Sequence, residues 1–421
     1  MKTKMKVVAL GIATLWVIVQ IVLIFFFWDK PQGSDPGTYI GTAKLCSQNG
    51  EYYPMLKHVN DSCIYAPGFV NYLILQLKLF NTVNFNMILN LIMNVGILAE
   101  IYYLAKRFFN ERTGLIAAIA YCLLYSNLMI VVPAATEIPF LFLSLSALCL
   151  SLFPRVLLLI FAGILFALAN WIRPLVLIFL LVALFYMYCK RYNWKYFISI
   201  LLPMIAVMFS IGMMTKSKTG YFVYQSVTGG ANLIMTANDK AYGGVATSLF
   251  RDTTTTVFIK EAEKYTFAQK DSIWKKRSMK WINRHPVKFA KLYCLKLGGL
   301  YIEDSWSDRP VLGGAGFIDA FAHGKVSKNA FILRAIKMGS KSFVYYIVGL
   351  LFIYSIVVNR RDIFTNKGLL LLILLFGTLI TCLFPVSPRY HYPFMFVIVI
   401  WASYGIDKFL ERKNAQNRSE N

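Results

Sequence analysis

Residues 7–39 read VVALGIATLWVIVQIVLIFFFWDKPQGSDPGTY, and this stretch places the first part of the chain in a membrane. Its apolar part, residues 7–28, exceeds the roughly 20 residues that an α-helix needs to cross a bilayer. Lys2, Lys4 and Lys6 precede it, as in a signal peptide, but no small-residue cleavage site follows it. We therefore predict an uncleaved transmembrane span.

The second part of this stretch carries a single carboxylate close to turn-forming residues, Asp35. Glycine and proline on both sides of it predict an irregular backbone just outside the first span. A carboxylate held at a membrane surface can act as a general base or as a metal ligand. The alternative is structural, because Ser34 and Asp35 are both good N-caps for a short helix beginning at Thr38. The local sequence leaves both interpretations open.

The composition is that of a polytopic membrane protein. Apolar residues make up 57% of the 421 residues and charged residues 15%, far from the values of a soluble domain. The formal net charge of +24 is typical of lysine and arginine at the cytoplasmic ends of spans, where they also contact anionic membrane lipids. The sequence has no zinc-type spacing, Walker loop or dinucleotide-binding glycine pattern. We expect no nucleic-acid partner.

Hydropathy predicts an all-α protein with about ten transmembrane helices. The loops rich in lysine and arginine all fall on one side of this arrangement, so the positive-inside rule places both termini in the cytoplasm. The expected location is the plasma membrane of a bacterium, with the remaining loops on the outer face. The predicted spans are 7–28, 84–105, 113–131, 138–153, 155–170, 174–189, 196–214, 342–358, 368–384 and 392–407.

Two predicted outer loops, 29–83 and 215–341, are too long to be simple connections. Cys46 and Cys63 both lie in the first of them and could form a disulfide in an oxidising compartment, although two reduced thiols remain the alternative. The predicted units are an N-terminal transmembrane module with Asp35 in its first outer loop, 1–214; an outer-face segment, 215–341; C-terminal transmembrane helices, 342–410; and a disordered tail, 411–421.

Local patterns predict structure within these outer loops. The apolar stretch 69–80 is short for a span and contains Lys78, which favours a helix at the membrane interface. Glycine pairs at 229–230 and 243–244 predict turns. The basic amphipathic region 256–300, which includes Trp281, is typical of helices that lie in the headgroup layer.

Four polar side chains are expected to converge on the outer face. Glu137 lies between the third and fourth spans, Arg173 between the fifth and sixth, and Arg389 and His391 just before the last. Singly, each has a structural explanation: Glu137 could be a first-turn helix acid, and Arg173 could reach lipid phosphates. Together with Asp35 they predict a phosphate-and-base site, because arginine binds phosphate bidentately and a carboxylate can take a proton from an attacking hydroxyl.

The membrane interior contains few ionisable groups. Glu100 is the one obvious acidic residue within a predicted span, and it lies near the cytoplasmic end. A proton- or ion-coupled transporter is expected to place such groups near the midplane. Transport is therefore the less favoured class of function.

Several short motifs, taken in order along the chain, resemble those of a known enzyme family. They are Asp35 with Tyr39 after the first span, Tyr65-Ala66-Pro67-Gly68, Thr136-Glu137, Asn170-Trp171-Ile172-Arg173-Pro174, Asn283-Arg284-His285-Pro286 with Lys296, and Arg389-Tyr390 with Pro393. Their order and spacing resemble the membrane-embedded glycosyltransferases of the GT-C type, in particular the bacterial branch related to protein O-mannosyltransferases and lipid A aminoarabinose transferase (glycosyltransferase family 39-like).

This resemblance implies an inverting transfer of a sugar from a polyprenyl-phosphate donor on the outer face to an envelope glycan, a glycolipid or an exported protein. Asp35 matches the family's first-loop aspartate and would be the general base. The developing charge on the lipid phosphate requires preorganised cations. The candidate phosphate-binding residues are Arg173, Arg389, Lys296 and His285, and the candidate substrate-pocket residues are Glu137, Tyr39, Tyr65 and Tyr390.

Cofactor use and two rival functions remain open at this stage. A divalent metal ion bound by Asp35 and Glu137 is one possibility, although the family's second acidic residue beside the first-loop aspartate is here replaced by Pro36-Gly37. The rival functions are a carrier of lipid-linked saccharides without chemistry and an envelope-polymer ligase or polymerase that uses a diphosphate-linked oligosaccharide.

Overall fold

The computed structural model describes residues 2–55, 64–314 and 328–419, and helices dominate these ranges. An isolated antiparallel bridge joins Ile64 to Val227. The helices are α1 (Lys2–Phe27), α2 (Ser34–Gln48), α3 (Pro67–Phe80), α4 (Asn86–Phe108), α5 (Glu111–Leu123), α6 (Tyr125–Met129), α7 (Glu137–Ser151), α8 (Val156–Ile172), α9 (Val176–Cys189), α10 (Trp194–Thr219), α11 (Gly229–Thr236), α12 (Phe267–Arg284), α13 (Pro286–Tyr301), α14 (Arg309–Leu312), α15 (Lys328–Lys341), α16 (Phe343–Val358), α17 (Leu369–Thr381) and α18 (Met395–Ser419).

Within the described ranges, four helices are long and apolar enough to cross a membrane by themselves: Thr3–Phe27, Asn86–Phe108, Trp194–Thr219 and Pro388–Asn417. A fifth candidate is the pair α15 and α16, which is bent by 63° at its junction. Other apolar helices are shorter, namely Glu137–Ser151, Val156–Ile172, Val176–Cys189 and Asn366–Thr381. The all-α membrane architecture is confirmed, whereas the number of about ten spans stays a prediction.

One predicted span is divided into two helices. Residues 113–131 form α5 and α6 because Leu124 takes an extended backbone conformation, with ψ of 129°. The polar side chains near this break are satisfied inside the protein. The amide of Asn94 donates to Gln20 (2.9 Å) and to the carbonyl of Asn127 (2.9 Å), and the hydroxyl of Tyr121 donates to Asn94 (2.7 Å).

The core lies where the apolar helices cross. Phe140, Phe179 and Phe396 are fully buried there, and their rings contact one another in sequence. Gly163 allows α8 and α10 to approach closely, because a Cβ at this position would lie 2.2 Å from the carbonyl oxygen of Ile200. Small residues serve this purpose at helix crossings in membranes.

The outer segment differs from two sequence-based predictions. The glycine pair 229–230 begins helix α11 and is not a turn, because Asp271 Oδ1 accepts hydrogen bonds from the backbone N–H groups of Gly230 (2.7 Å) and Ala231 (3.1 Å). A carboxylate at a helix N-terminus supplies the partner that these groups lack. The basic region 256–300 is helical only from Phe267 onwards, where it forms α12 and α13, which are separated at His285.

Three further expectations concern the ends and the first outer loop. The tail was predicted to be disordered, but α18 continues to Ser419. The helix expected at 69–80 is present as α3, and most of its first two turns are buried, so this part packs within the protein. Cys46 is a buried free thiol, and Cys63 lies outside the described residues, so their pairing stays a prediction.

Candidate active site

Hydrogen bonds join three loops next to the first predicted span. The side chain of Gln32 donates to the carbonyl of Val132 (3.2 Å) and accepts from the N–H of Ala134 (2.7 Å). The N–H of Gly33 donates to the carbonyl of Pro310 (2.7 Å). These bonds fix the segment before Asp35 against the loop that carries Glu137 and against the segment that begins α14.

Asp35 lies in the first turn of α2, and the proposed cap role is wrong. The helix begins at Ser34, not at Thr38, and its N-cap is Gly33, which makes no side-chain capping bond. Ser34 has a φ of +58°, a strained left-handed conformation for a residue other than glycine. The Asp35 carboxylate instead forms an ion pair with the guanidinium of Arg389, and 47% of its side chain remains exposed.

Arg389 is the residue that joins the two carboxylates. Its Nη2 donates to Asp35, and its Nε lies 3.8 Å from Oε1 of Glu137. The guanidinium also lies over the ring of Trp306, 4.8 Å from the ring centre. Only 10% of the side chain is exposed. A guanidinium that is packed against aromatic rings and paired on two sides is held in a defined position.

Glu137 and Arg173 form the buried half of the same cluster. Arg173 Nη1 donates to Glu137 Oε1 at 2.9 Å, and the two side chains are 13% and 1% exposed. Glu137 Oε2 accepts a bond from the hydroxyl of Thr136 at 3.3 Å. Asp35, Glu137, Arg173 and Arg389 therefore carry balanced charges, and we call these four residues the charge cluster.

Aromatic side chains surround the charge cluster. The ring of Tyr390 contacts both guanidiniums, with its centre 5.5 Å from that of Arg173 and 5.0 Å from that of Arg389. Tyr39 packs edge-on against Phe69, and burial followed by the charge of Asp35 raises the pKa of its phenol. The hydroxyl of Tyr65 hydrogen-bonds to Thr42 at 2.9 Å. Tyr390 thus contacts both guanidiniums directly, whereas Tyr65 lies beside Tyr39, with 5.8 Å between their ring centres.

The charge cluster borders a cavity of about 470 Å³. Its walls come from residues in 33–35, 309–314 and 386–390, together with Val245 and Trp306. Asp35, Arg389 and Tyr390 are among the lining residues. This volume is in the range of pockets that bind small ligands.

An acidic segment of the outer loop was missed by the sequence analysis. Glu303, Asp304 and Asp308 are each at most 4% exposed. Glu303 pairs with Arg309 at 2.5 Å, and Asp308 accepts a bond from the hydroxyl of Tyr125 at 2.6 Å. A signal was available, because three acidic residues within six positions stand out in a strongly basic segment.

His391 was expected beside the phosphate site, but it points inward towards this acidic segment. Nδ1 lies 2.7 Å from the carbonyl of Leu300, and Nε2 lies 3.3 Å from Oδ1 of Asp304. The ring is stacked between Tyr301 and Tyr345. Because a carbonyl oxygen can only accept, Nδ1 carries a proton. His391 therefore packs against the acidic segment and is not among the residues that line the cavity.

Lys296 and His285 lie on the outer helices. The contacts that the described residues provide for them involve neither Asp35 nor Arg389. Lys296 is 1% exposed, its Nζ has no hydrogen-bond partner among the described residues, and it lies 5.1 Å from the ring centre of Phe289. Burial lowers its pKa to about 8. His285 stacks on Trp281 and hydrogen-bonds to the carbonyl of that residue at 3.1 Å. Their proposed contact with a donor phosphate stays a prediction.

The positions of Asp35 and Glu137 do not fit the metal site that the sequence left open. Asp35 and Glu137 both point at the guanidinium of Arg389, which takes the place between them that a shared cation would occupy. Over residues 2–55, 64–314 and 328–419, no group of three or more histidine, cysteine, aspartate or glutamate side chains has a geometry that could hold a metal ion. We therefore derive no step through a metal.

The fold is shared with a solved membrane glycosyltransferase. The chain is similar to the oligosaccharyltransferase of Archaeoglobus fulgidus in its apo form, with a TM-score of 0.51 and 14% identity over 98% of this chain and 52% of that one. It thus spans about half the length of that protein. The resemblance to GT-C-type enzymes that the motifs predicted is confirmed at the level of the fold.

Two other similar structures were found with lower scores. One is the archaeal oligosaccharyltransferase AglB from A. fulgidus in complex with an inhibitory peptide and a dolichol-phosphate, with a TM-score of 0.48 and 14% identity over 99% of this chain and 52% of that one. The other is ArnT from Cupriavidus metallidurans bound to undecaprenyl phosphate, with a TM-score of 0.39 and 11% identity over 94% of this chain and 77% of that one. No family model matches the sequence. No curated protein matches it either.

Proposed function

We propose that this protein is an integral-membrane, inverting glycosyltransferase that moves a sugar from a polyprenyl-phosphate donor to a hydroxyl of an envelope glycan, a glycolipid or an exported protein. The observation that carries the proposal is the charge cluster, in which a half-exposed carboxylate and a packed guanidinium meet at the wall of a 470 Å³ cavity. The fold, shared with an oligosaccharyltransferase, supports the class of reaction.

In this proposal the donor phosphate binds at Arg389. Arginine has five N–H donors arranged in a planar fork, so its contact with Asp35 leaves several available for phosphate oxygens. Arg173 also contacts the ring of Tyr390 and adds a second positive charge. Negative charge develops on the phosphate as the bond to the sugar breaks, and preorganised cations stabilise it most in a site that excludes water.

Asp35 is the proposed general base. When the phosphate takes up part of the hydrogen-bonding capacity of Arg389, the Asp35 carboxylate is free to accept the proton of the acceptor hydroxyl. The acceptor oxygen then forms a bond to the anomeric carbon, and the bond from that carbon to the phosphate oxygen breaks with its electron pair on the phosphate. Attack from the face opposite the phosphate inverts the anomeric configuration.

The proposal requires the charge of Asp35, not only its shape. An asparagine at this position retains the size of the side chain and can accept a hydrogen bond, but it cannot take a proton at neutral pH. We would compare envelope glycans by mass spectrometry in cells that carry the wild type, a deletion and Asp35→Asn at matched membrane levels. Loss of the same sugar in the deletion and in Asp35→Asn supports the proposal and identifies the sugar class from the mass difference.

The rival functions give different results in a purified system. Protein in detergent is offered a polyprenyl-phosphate monosaccharide and, separately, a diphosphate-linked oligosaccharide. Transfer from the first donor supports the proposal. Transfer from the second alone would identify a ligase or polymerase. A carrier transfers neither sugar, and this outcome would refute the enzymatic proposal altogether.

A further inference from the structure

Helix α15 (Lys328–Lys341) has an exposed apolar strip that the proposed chemistry does not use. Ile332, Leu333 and Ile336 are 46%, 68% and 63% exposed. The opposite face, which includes Ala335 and Met338, is half-buried against the protein. At 100° per residue, the three exposed apolar side chains fall on one arc of about 100°. Exposure of such an arc to water is unfavourable, because the transfer of apolar surface out of water lowers the free energy.

A basic strip runs beside this apolar arc. Arg334 and Lys337 are exposed and lie between the apolar arc and the protein-facing side, so the helix presents three sectors. An apolar sector bordered by lysine and arginine is the pattern of a helix that lies in a membrane interface and contacts anionic headgroups.

The position of α15 brings this surface to the membrane. Its last residue is followed almost directly by α16 (Phe343–Val358), an apolar helix whose exposed residues, such as Leu350 and Val357, are suited to lipid. The two helices are bent by 63° at their junction. For an α16 that crosses close to the bilayer normal, as the predicted span 342–358 would, the 63° bend places α15 closer to the membrane plane than to the normal.

We propose that α15 binds anionic phospholipids of the leaflet on the side of the candidate active site, with Ile332, Leu333 and Ile336 among the acyl chains and Arg334 and Lys337 at the phosphates. This interaction surface does not depend on the proposed catalytic function.

The lipid-bound helix would also support one wall of the cavity. Lys341, at the end of α15, forms an ion pair with the buried Asp308. Arg309 and Pro310, the next two residues, line the cavity beside the charge cluster. Lipid contact along α15 would therefore fix the end of the helix that holds this wall.

A fluorescent amino acid placed at Leu333 in the full chain tests the lipid contact without cysteine chemistry, which Cys189 and Cys294 would complicate because both are exposed. The same probe at Arg334 reports the basic strip. The protein is placed in nanodiscs of phosphatidylcholine alone or with one quarter phosphatidylglycerol, each with or without lipids brominated on their acyl chains.

We expect bromolipid to quench the probe at Leu333 several-fold more than at Arg334. Phosphatidylglycerol should increase the quenching at Leu333. Arg334→Gln together with Lys337→Gln should abolish that increase, since each basic residue at an anionic surface contributes a factor of about five in affinity.

Equal quenching at Leu333 and Arg334 would overturn the proposed orientation of α15. Quenching that does not depend on phosphatidylglycerol would overturn the anionic-lipid assignment, and a blue-shifted but unquenched probe would point instead to a protein partner.

Discussion

Two carboxylates, Asp35 and Glu137, share Arg389 but differ in burial. This difference predicts that removing one charge affects the rate of transfer and removing the other affects stability. The side chain of Asp35 is 47% exposed, whereas that of Glu137 is 1% exposed. Water screens the first ion pair and competes with it. The second is held in a place where an uncompensated charge is costly. Asp35→Asn should therefore affect mainly the rate of transfer, and Glu137→Gln mainly the stability of the protein.

The magnitudes follow from these environments. For Asp35→Asn we expect the free energy of unfolding to change by less than about 1 kcal/mol, the usual limit for an exposed pair. The rate should fall by about 10²- to 10⁴-fold, the usual contribution of a general base. In Glu137→Gln, a buried guanidinium loses its counter-charge but can still donate to the amide oxygen. We therefore expect the free energy of unfolding to fall by about 3 kcal/mol, the low end for a broken buried pair.

The assay combines thermal unfolding in detergent with initial rates of transfer from a polyprenyl-phosphate sugar. Asp29→Asn is the matched control, because Asp29 lies on the same loop, is exposed and contacts only Asn84 among the hydrogen bonds described for its carboxylate. It should leave the stability and the rate unchanged. Equal destabilisation by Asp35→Asn and Glu137→Gln would refute the argument from burial. Wild-type transfer by Asp35→Asn would refute the assignment of the base.

Three further predictions concern donor binding, pH and metal. Tyr390→Phe should keep the aromatic contact with both guanidiniums and leave KM for the donor within about twofold, whereas Tyr390→Leu should raise it about 5- to 30-fold, as measured by steady-state kinetics. Because burial lowers the pKa of Lys296 from 10.5 to about 8, the folded state binds fewer protons than the unfolded state in this window, and stability falls as pH drops through it. Lys296→Met should therefore raise the unfolding midpoint at pH 7, with a gain that shrinks towards pH 10.5; an unchanged gain would contradict the burial argument. Chelation with EDTA should leave the rate unchanged, since Arg389 lies between Asp35 and Glu137; loss of transfer that Mg²⁺ or Mn²⁺ restores would show that a metal does bind.

The sequence was sufficient for the class of fold and for the elements that build it. Long apolar runs must form helices in a bilayer, because each backbone polar group needs a partner where water is absent. For this reason each predicted span overlaps a helix of the structure, apart from 113–131, which is divided into α5 and α6. The order of the motifs indicated the GT-C type. The sequence also predicted that Arg389 and Asp35 share one face of the membrane, and the two side chains form an ion pair in the structure.

The tertiary structure alone decided which of the candidate residues meet. Asp35 and Arg389 are separated by most of the chain, and no local pattern encodes that their loops are joined through Gln32, Gly33 and Pro310. The inward direction of His391 depends on an acidic segment whose partners also come from distant helices. Helix propensity and hydropathy act over a few residues, whereas an ion pair depends on how whole helices pack. The sequence therefore determined the elements and their chemistry, and the packing of these elements determined the site.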